Sequence, residues 1–220
     1  MKRYVNLALL ALTPAMVAVL VCSTTTVAAK PLVVGIAQHG KNVLELVGRS
    51  EQDGNAVTHF GYLTRIRGLP DDLLFSDPSN RTEATARFTF FATTTLTARH
   101  VLDNIIATAA QGTLTIYFND TPSGDFNTPG SFAAGTPIAT FSARFQNVLN
   151  VQPPDAGIIS GVADLIQLGS DSFMLDGVRY RLGQRHVRGR LSANGQGTRT
   201  RVDPPLSFFL WGGNVVIISP

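Results

Sequence analysis

The chain has 220 residues, a formal net charge of +3, 44% hydrophobic and 15% charged side chains, and one cysteine. A chain of this kind is long enough to hold one sizeable core, which it must do without disulfides, and no low-complexity linker divides it. No motif in it fixes a reaction.

The chain opens MKRYVNLALLALTPAMVAVLVCSTTTVAAKP. Lys2 and Arg3 form a positive start, Leu7 to Val21 an apolar segment, and Val27, Ala28 and Ala29 a small-residue exit. This is the plan of a secretory signal peptide, so residues 1–29 are expected to be removed and residues 30–220 to form one domain in a secreted or periplasmic protein. The apolar run is roughly 15 residues, short of the ~20 that a membrane-spanning helix needs. Cys22 lies inside this leader, preceded by valine where a lipoprotein cleavage site wants a small residue. The mature chain is therefore expected to be cysteine-free, which excludes disulfides, thiolate metal sites and cysteine nucleophiles. With Lys2 and Arg3 gone, 18 basic residues become 16 against 15 acidic ones, a net of +1. Attraction to nucleic acid must then be local, and no nucleic-acid partner is expected.

Beyond the leader, two-residue alternation predicts strands and little helix. Val43 to Arg49, a turn at Asp53-Gly54, and Ala56 to Arg67 read as a hairpin. A proline-bearing loop from Gly68 to Arg81 follows. Glu83 to Thr97 reads as a long strand with Phe88, Phe90, Ala92 and Thr94 on one face. Ile105 to Ala109 and Thr113 to Asn119 read as two strands joined near Gln111-Gly112. Ile138 to Leu149 and Ile158 to Leu168 are further strands, joined by a turn at Pro153-Pro154-Asp155. Asp171 to Leu175 and Val178 to Leu182 form a hairpin around Asp176-Gly177, Val187 to Ser192 and Thr198 to Val202 another around Asn194-Gly195. Leu206 to Trp211 and Asn214 to Ile218 close the chain around Gly212-Gly213. Ten or so strands with regular turn signals and no linker describe one all-β domain, an antiparallel β-barrel with a β-sandwich as the alternative. An outer-membrane barrel would need an apolar belt and aromatic girdles around its whole circumference. Four tyrosines, one tryptophan and charged strand faces speak against it.

Few residues point to chemistry. His39, His59, His100 and His186 lack the short spacing of metal ligands, and each reads as a structural histidine. The loop Asn119 to Asp125 is rich in oxygen ligands but has no EF-hand spacing, and its residues are those of an ordinary turn. Asn80-Arg81-Thr82 and Asn119-Asp120-Thr121 match the glycosylation sequon. No nucleophile elbow, phosphate loop or HExxH occurs, and no cofactor is expected. Glu45, Glu83, Tyr62 and Arg87 lie on predicted strands and are the candidates for polar groups inside a barrel.

The segment from Val178 to Val202 holds seven arginines and no carboxylate. With a turn at Asn194-Gly195, Arg190 lies opposite Arg199 and Arg188 opposite Arg201, and all four share a face. The first reading is a solvated sheet face with partial ion pairing; the second is a site for an anionic small molecule or surface polymer. Nucleic acid comes last, because only Tyr180 is interleaved for stacking.

Small barrels of the lipocalin kind, or of the allene-oxide-cyclase and dirigent kind, are similar in size and strand content, a likeness of fold that carries no function. Three functions are expected in order. The first is an exported binding protein that takes an apolar or amphipathic small molecule into the barrel, suggested by the Phe, Ala and Thr on strand faces. The second is a barrel cyclase or isomerase acting on a hydrophobic substrate, and the third a surface protein docking an anionic polymer through its arginine face.

Overall fold

The computed structural model describes residues 30–152 and 155–219; the leader and the Pro153-Pro154 pair lie outside them. Eleven strands follow in chain order: β1 (Leu32–Val34), β2 (Asn42–Asp53), β3 (Ala56–Ile66), β4 (Phe88–Leu102), β5 (Ile105–Phe118), β6 (Thr136–Val151), β7 (Ala156–Ser170), β8 (Ser172–Leu175), β9 (Val178–Leu182), β10 (Arg188–Arg201) and β11 (Leu206–Ser219). Eight of them close a barrel in the order β10-β11-β2-β3-β4-β5-β6-β7, every neighbouring pair antiparallel. The barrel is thus the architecture, and closure leaves it without an unpaired edge. No helix among the described residues is long and apolar enough to cross a membrane.

Alternation decides which side chains fill the interior. On β4, Phe88, Phe90, Ala92 and Thr94 are buried, as the period of two predicts. Their partners in the middle and lower barrel are Leu46, Leu63, Leu114, Ile116 and Leu165, all nearly inaccessible. Fully burying one such side chain contributes about 1.5–3 kcal/mol, so these layers carry much of the stability of a chain without disulfides.

One end of the barrel is closed. A three-stranded sheet ordered β1-β9-β8 lies across it, with β1 parallel to β9 and the β8–β9 hairpin turning at Asp176 (φ 48°) and Gly177 (φ 77°), as the Asp-Gly pair predicts. Phe173 and Tyr180 from this cap join Phe88 and Phe118 from the barrel in an aromatic cluster with centroids 5.0–5.8 Å apart. Gln167, almost wholly buried, ties the two together: its amide donates to Leu182 O at 2.8 Å and its Oε1 accepts from Gln184 N at 3.1 Å. On the outer wall, the β5–β6 loop lays Phe126 and Phe132 over Phe60, and Thr89 Oγ1 donates to Phe132 O at 2.7 Å.

Three predicted turns are absent. β5, β10 and β11 each run unbroken through Gln111-Gly112, Asn194-Gly195 and Gly212-Gly213. The first two glycines answer to close approach rather than to chain reversal: a Cβ on Gly112 would lie 2.0 Å from Thr93 O, and one on Gly195 2.1 Å from Leu210 O. The first hairpin turns one residue later than expected, through Gly54-Asn55 with φ of 59° at Gly54. The strand expected from Glu83 begins at Phe88, the residues before it belonging to the loop.

Candidate functional site

The end of the barrel opposite the cap, where the β2–β3, β4–β5, β6–β7 and β10–β11 connections turn, opens into a cavity of about 430 Å³. Its walls are mainly apolar, with Leu96, Ile106, Leu149, Ile159 and Phe209 among them. Its floor is aromatic: Phe145 stacks on His59 with centroids 4.6 Å apart and 9° between planes, and Trp211 packs on Phe90 at 5.6 Å. Below the floor the barrel is filled by the apolar layers that lead to the cap.

Glycines make the room for these rings. Trp211 on β11 lies opposite Gly195 on β10 and Gly48 on β2, and Phe209 lies opposite Gly197. A Cβ on Gly195 would meet Trp211 Cβ at 2.7 Å, and one on Gly197 would meet Phe209 Cδ1 at 2.3 Å. The Asn-Gly-Gln-Gly run that reads as a turn is therefore a strand whose inward positions are emptied for the neighbouring indole and phenyl rings.

A buried polar chain crosses the floor. Trp211 Nε1 donates to Ser50 Oγ at 2.7 Å, Ser50 Oγ lies 2.7 Å from His59 Nδ1, His59 Nε2 lies 3.1 Å from Thr94 Oγ1, and Thr94 Oγ1 donates to Val57 O at 3.4 Å. With His59 neutral and its proton on Nε2, every hydroxyl in this chain donates once, and donation runs one way from the indole to the Val57 carbonyl. Burial lowers the His59 pKa to about 4, so the imidazole is neutral at pH 7. Ser50 and His59 face each other because of the Gly54-Asn55 turn; a turn at Asp53-Gly54 would have set Ser50 opposite Val57 instead. The sequence reads His59 as one structural histidine among four. It is satisfied in that way, yet it also forms part of a cavity floor.

No known family model, characterised protein or solved structure matches the chain. Its function has to be read from the site.

The arginines are distributed differently from expectation. Because β10 is one strand, Arg188 and Arg190 stand on its outer face near the cap, while Arg199 and Arg201 lie at the far end, about 36 Å along the strand from Arg188 to Arg199 at a rise of about 3.3 Å per residue. The expected pairing of Arg190 with Arg199 and of Arg188 with Arg201 is replaced by Val216, Ser207, Ser219 and Leu206 respectively. Arg190 pairs with Asp164 at 2.9 Å, Arg199 with Asp155 at 3.5 Å and Arg201 with Asp53 at 2.7 Å. Of the four, Arg199 alone lines the cavity. The anion patch as drawn from a hairpin is not assembled in one place, because even and odd positions of a continuous strand face opposite ways.

The other inward candidates stay outside the cavity. Glu45 pairs with Arg65 at 3.4 Å, Arg87 with Asp120 at 3.1 Å, and Tyr62 packs edge-on against Phe75. Glu83 lies in the loop before β4 and, through its charge, joins burial in raising the Tyr62 pKa. The oxygen-rich loop spends its groups on itself: Asn119 Oδ1 accepts from Thr121 N at 3.0 Å, and Asp125 Oδ1 from Asn127 N at 2.9 Å. Among the described residues no group of three or more His, Cys, Asp or Glu is placed to hold a metal ion.

Proposed function

We propose that the protein is an exported binding protein that takes an apolar or amphipathic small molecule into the open end of its barrel. The observation that carries this reading is the cavity itself, about 430 Å³ with mainly apolar walls, which falls in the size range of small-molecule sites. A protein cavity of about 150 Å³ accepts one benzene, so by proportion this one suits about 17 carbon-sized atoms. The apolar end of the ligand enters first, because the polar atoms of the floor already bond one another. Exposed Asn55, Arg99 and Asp203 stand at the mouth, where a polar end remains in water.

Binding is favoured over catalysis by the state of His59. Burial lowers its pKa to about 4, which makes it a weak base toward the Ser50 hydroxyl that donates to Nδ1, and its other nitrogen is engaged with Thr94. No glutamate or tyrosine lines the cavity among the described residues, and its aspartates, Asp155 and Asp203, lie at the rim.

The chain holds one tryptophan, and it lies on the cavity floor. Titration with anilinonaphthalenesulfonate and with medium-chain alkanes is expected to change Trp211 emission saturably at one equivalent. A linear, unsaturable response to all of them rejects the reading.

A further inference from the structure

We infer that Thr108 and Asn147 form a hydrogen-bonding site for one oxygen of the ligand, a hydroxyl or carbonyl set about 6–7 Å from its buried apolar end. The inference rests on the cavity-binding reading and narrows the ligand to an oxygen-bearing hydrocarbon.

Thr108 on β5 and Asn147 on β6 are direct cross-strand partners, both half-buried, and both line the cavity wall. Residues so placed hold their Cβ atoms about 4.5–5.5 Å apart, close enough for one ligand atom to reach both side chains. The other polar side chains inside the barrel that are not exposed are engaged: Ser50 and His59 in the floor chain, Gln52 with Gly54 O and Ser207, Arg199 with Asp155. By contrast, neither the Thr108 hydroxyl nor the Asn147 carboxamide has a side-chain hydrogen bond among the described residues, and both face the cavity.

The neighbouring strand leaves room for that carboxamide. Gly161 on β7 lies opposite Asn147, and a Cβ there would stand 2.4 Å from Asn147 Oδ1. Depth follows from β6: Phe145, the stacked ring of the floor, is two residues below Asn147, about 6.6 Å at 3.3 Å per residue.

The chemistry selects an oxygen. A carbonyl accepts from both the Asn147 amide and the Thr108 hydroxyl; a ligand hydroxyl accepts from the Asn147 amide while donating to Thr108 Oγ1. An alkane strips water from both groups and returns nothing, leaving buried polar atoms unpaired.

The test uses Trp211 emission with a medium-chain dialkyl ketone, the corresponding secondary alcohol and the alkane of equal length. The unaltered protein is expected to bind ketone and alcohol at least about tenfold more tightly than alkane. Asn147→Leu and Thr108→Val are each expected to cut that preference several-fold, chiefly by improving alkane affinity. Thr108→Val keeps side-chain shape, so it decides the matter even where Asn147→Leu fails to fold. Equal affinity for ketone and alkane in the unaltered protein, or a preference that both variants leave unchanged, overturns the oxygen site while cavity binding stands. Failure of all three compounds and of anilinonaphthalenesulfonate to bind overturns the cavity reading as well.

Discussion

Trp211 donates its indole N–H to Ser50 Oγ at 2.7 Å, joining β11 to β2 at the cavity floor and fixing the serine against His59. Ser50→Ala would strand the Trp211 N–H and His59 Nδ1 together in a buried place. Unpaired buried groups cost about 1–3 kcal/mol each, so a loss of unfolding free energy of at least that order is expected in urea denaturation, against almost none for an exposed serine such as Ser192.

Acid should weaken the fold through His59. Its folded pKa is depressed from 6.5 to about 4, so the unfolded chain takes up a proton that the folded chain refuses. The sign follows: stability is full above pH 6.5 and declines as pH falls toward 4, by about 1.4 kcal/mol per pH unit and about 3 kcal/mol in all. Carboxylates act mostly below this window, where they titrate. Urea denaturation from pH 7.5 to 4 in the unaltered protein and in His59→Gln checks this; the variant should start less stable and show a flatter profile over that range.

Gly197→Ala tests whether the glycines of β10 are there for packing. Its Cβ would lie 2.2 Å from Phe208 O and 2.3 Å from Phe209 Cδ1, which forces ring and backbone apart. Overpacking of this kind typically costs about 1–3 kcal/mol. Thermal denaturation should show the loss, whereas a turn glycine such as Gly177, with open space around it but φ of 77°, would suffer through strain alone.

Gln167→Leu should loosen the cap from the barrel. It removes one of the two donors to Leu182 O, which keeps Ser170 Oγ at 2.8 Å, and it removes the acceptor of Gln184 N, which is left to find water. Hydrogen exchange of β8 and β9 amides should accelerate more than that of the barrel strands, because the barrel retains its own closed ladder.

Arg190 and Asp164 form an ion pair at 2.9 Å with each side chain about half exposed. Solvent and salt screen such a pair, so Arg190→Ser is expected to shift stability by less than about 1 kcal/mol and to leave cavity binding unchanged. Chemical denaturation at low and high salt measures it.

The residues themselves announced an all-β domain of antiparallel strands, the inward face of β4 and the Asp176-Gly177 hairpin, because alternation and turn chemistry are local properties of the chain. The site was less legible. Sequence flagged arginines for their density, and the fold scattered them; His59 read as structural and Ser50 and Trp211 were not singled out, because Trp211 is far in sequence from the Ser50–His59 hairpin pair and reaches it only when β11 closes on β2. Thr108 and Asn147 carried no signal at all, since an amide or hydroxyl on a strand is ordinary until its neighbours are known.

Glycine marks the boundary between the two kinds of knowledge. A missing Cβ serves both a reversed chain and a close approach, so Asp176-Gly177 and Asn194-Gly195 look alike in one dimension. The first turns; the second makes space for an indole ring contributed by a strand 16 residues away in sequence. Local chemistry chose strands and faces for this chain, while barrel closure chose which strands meet, which glycines pack and where the cavity lies, because those contacts join residues that no short-range pattern connects.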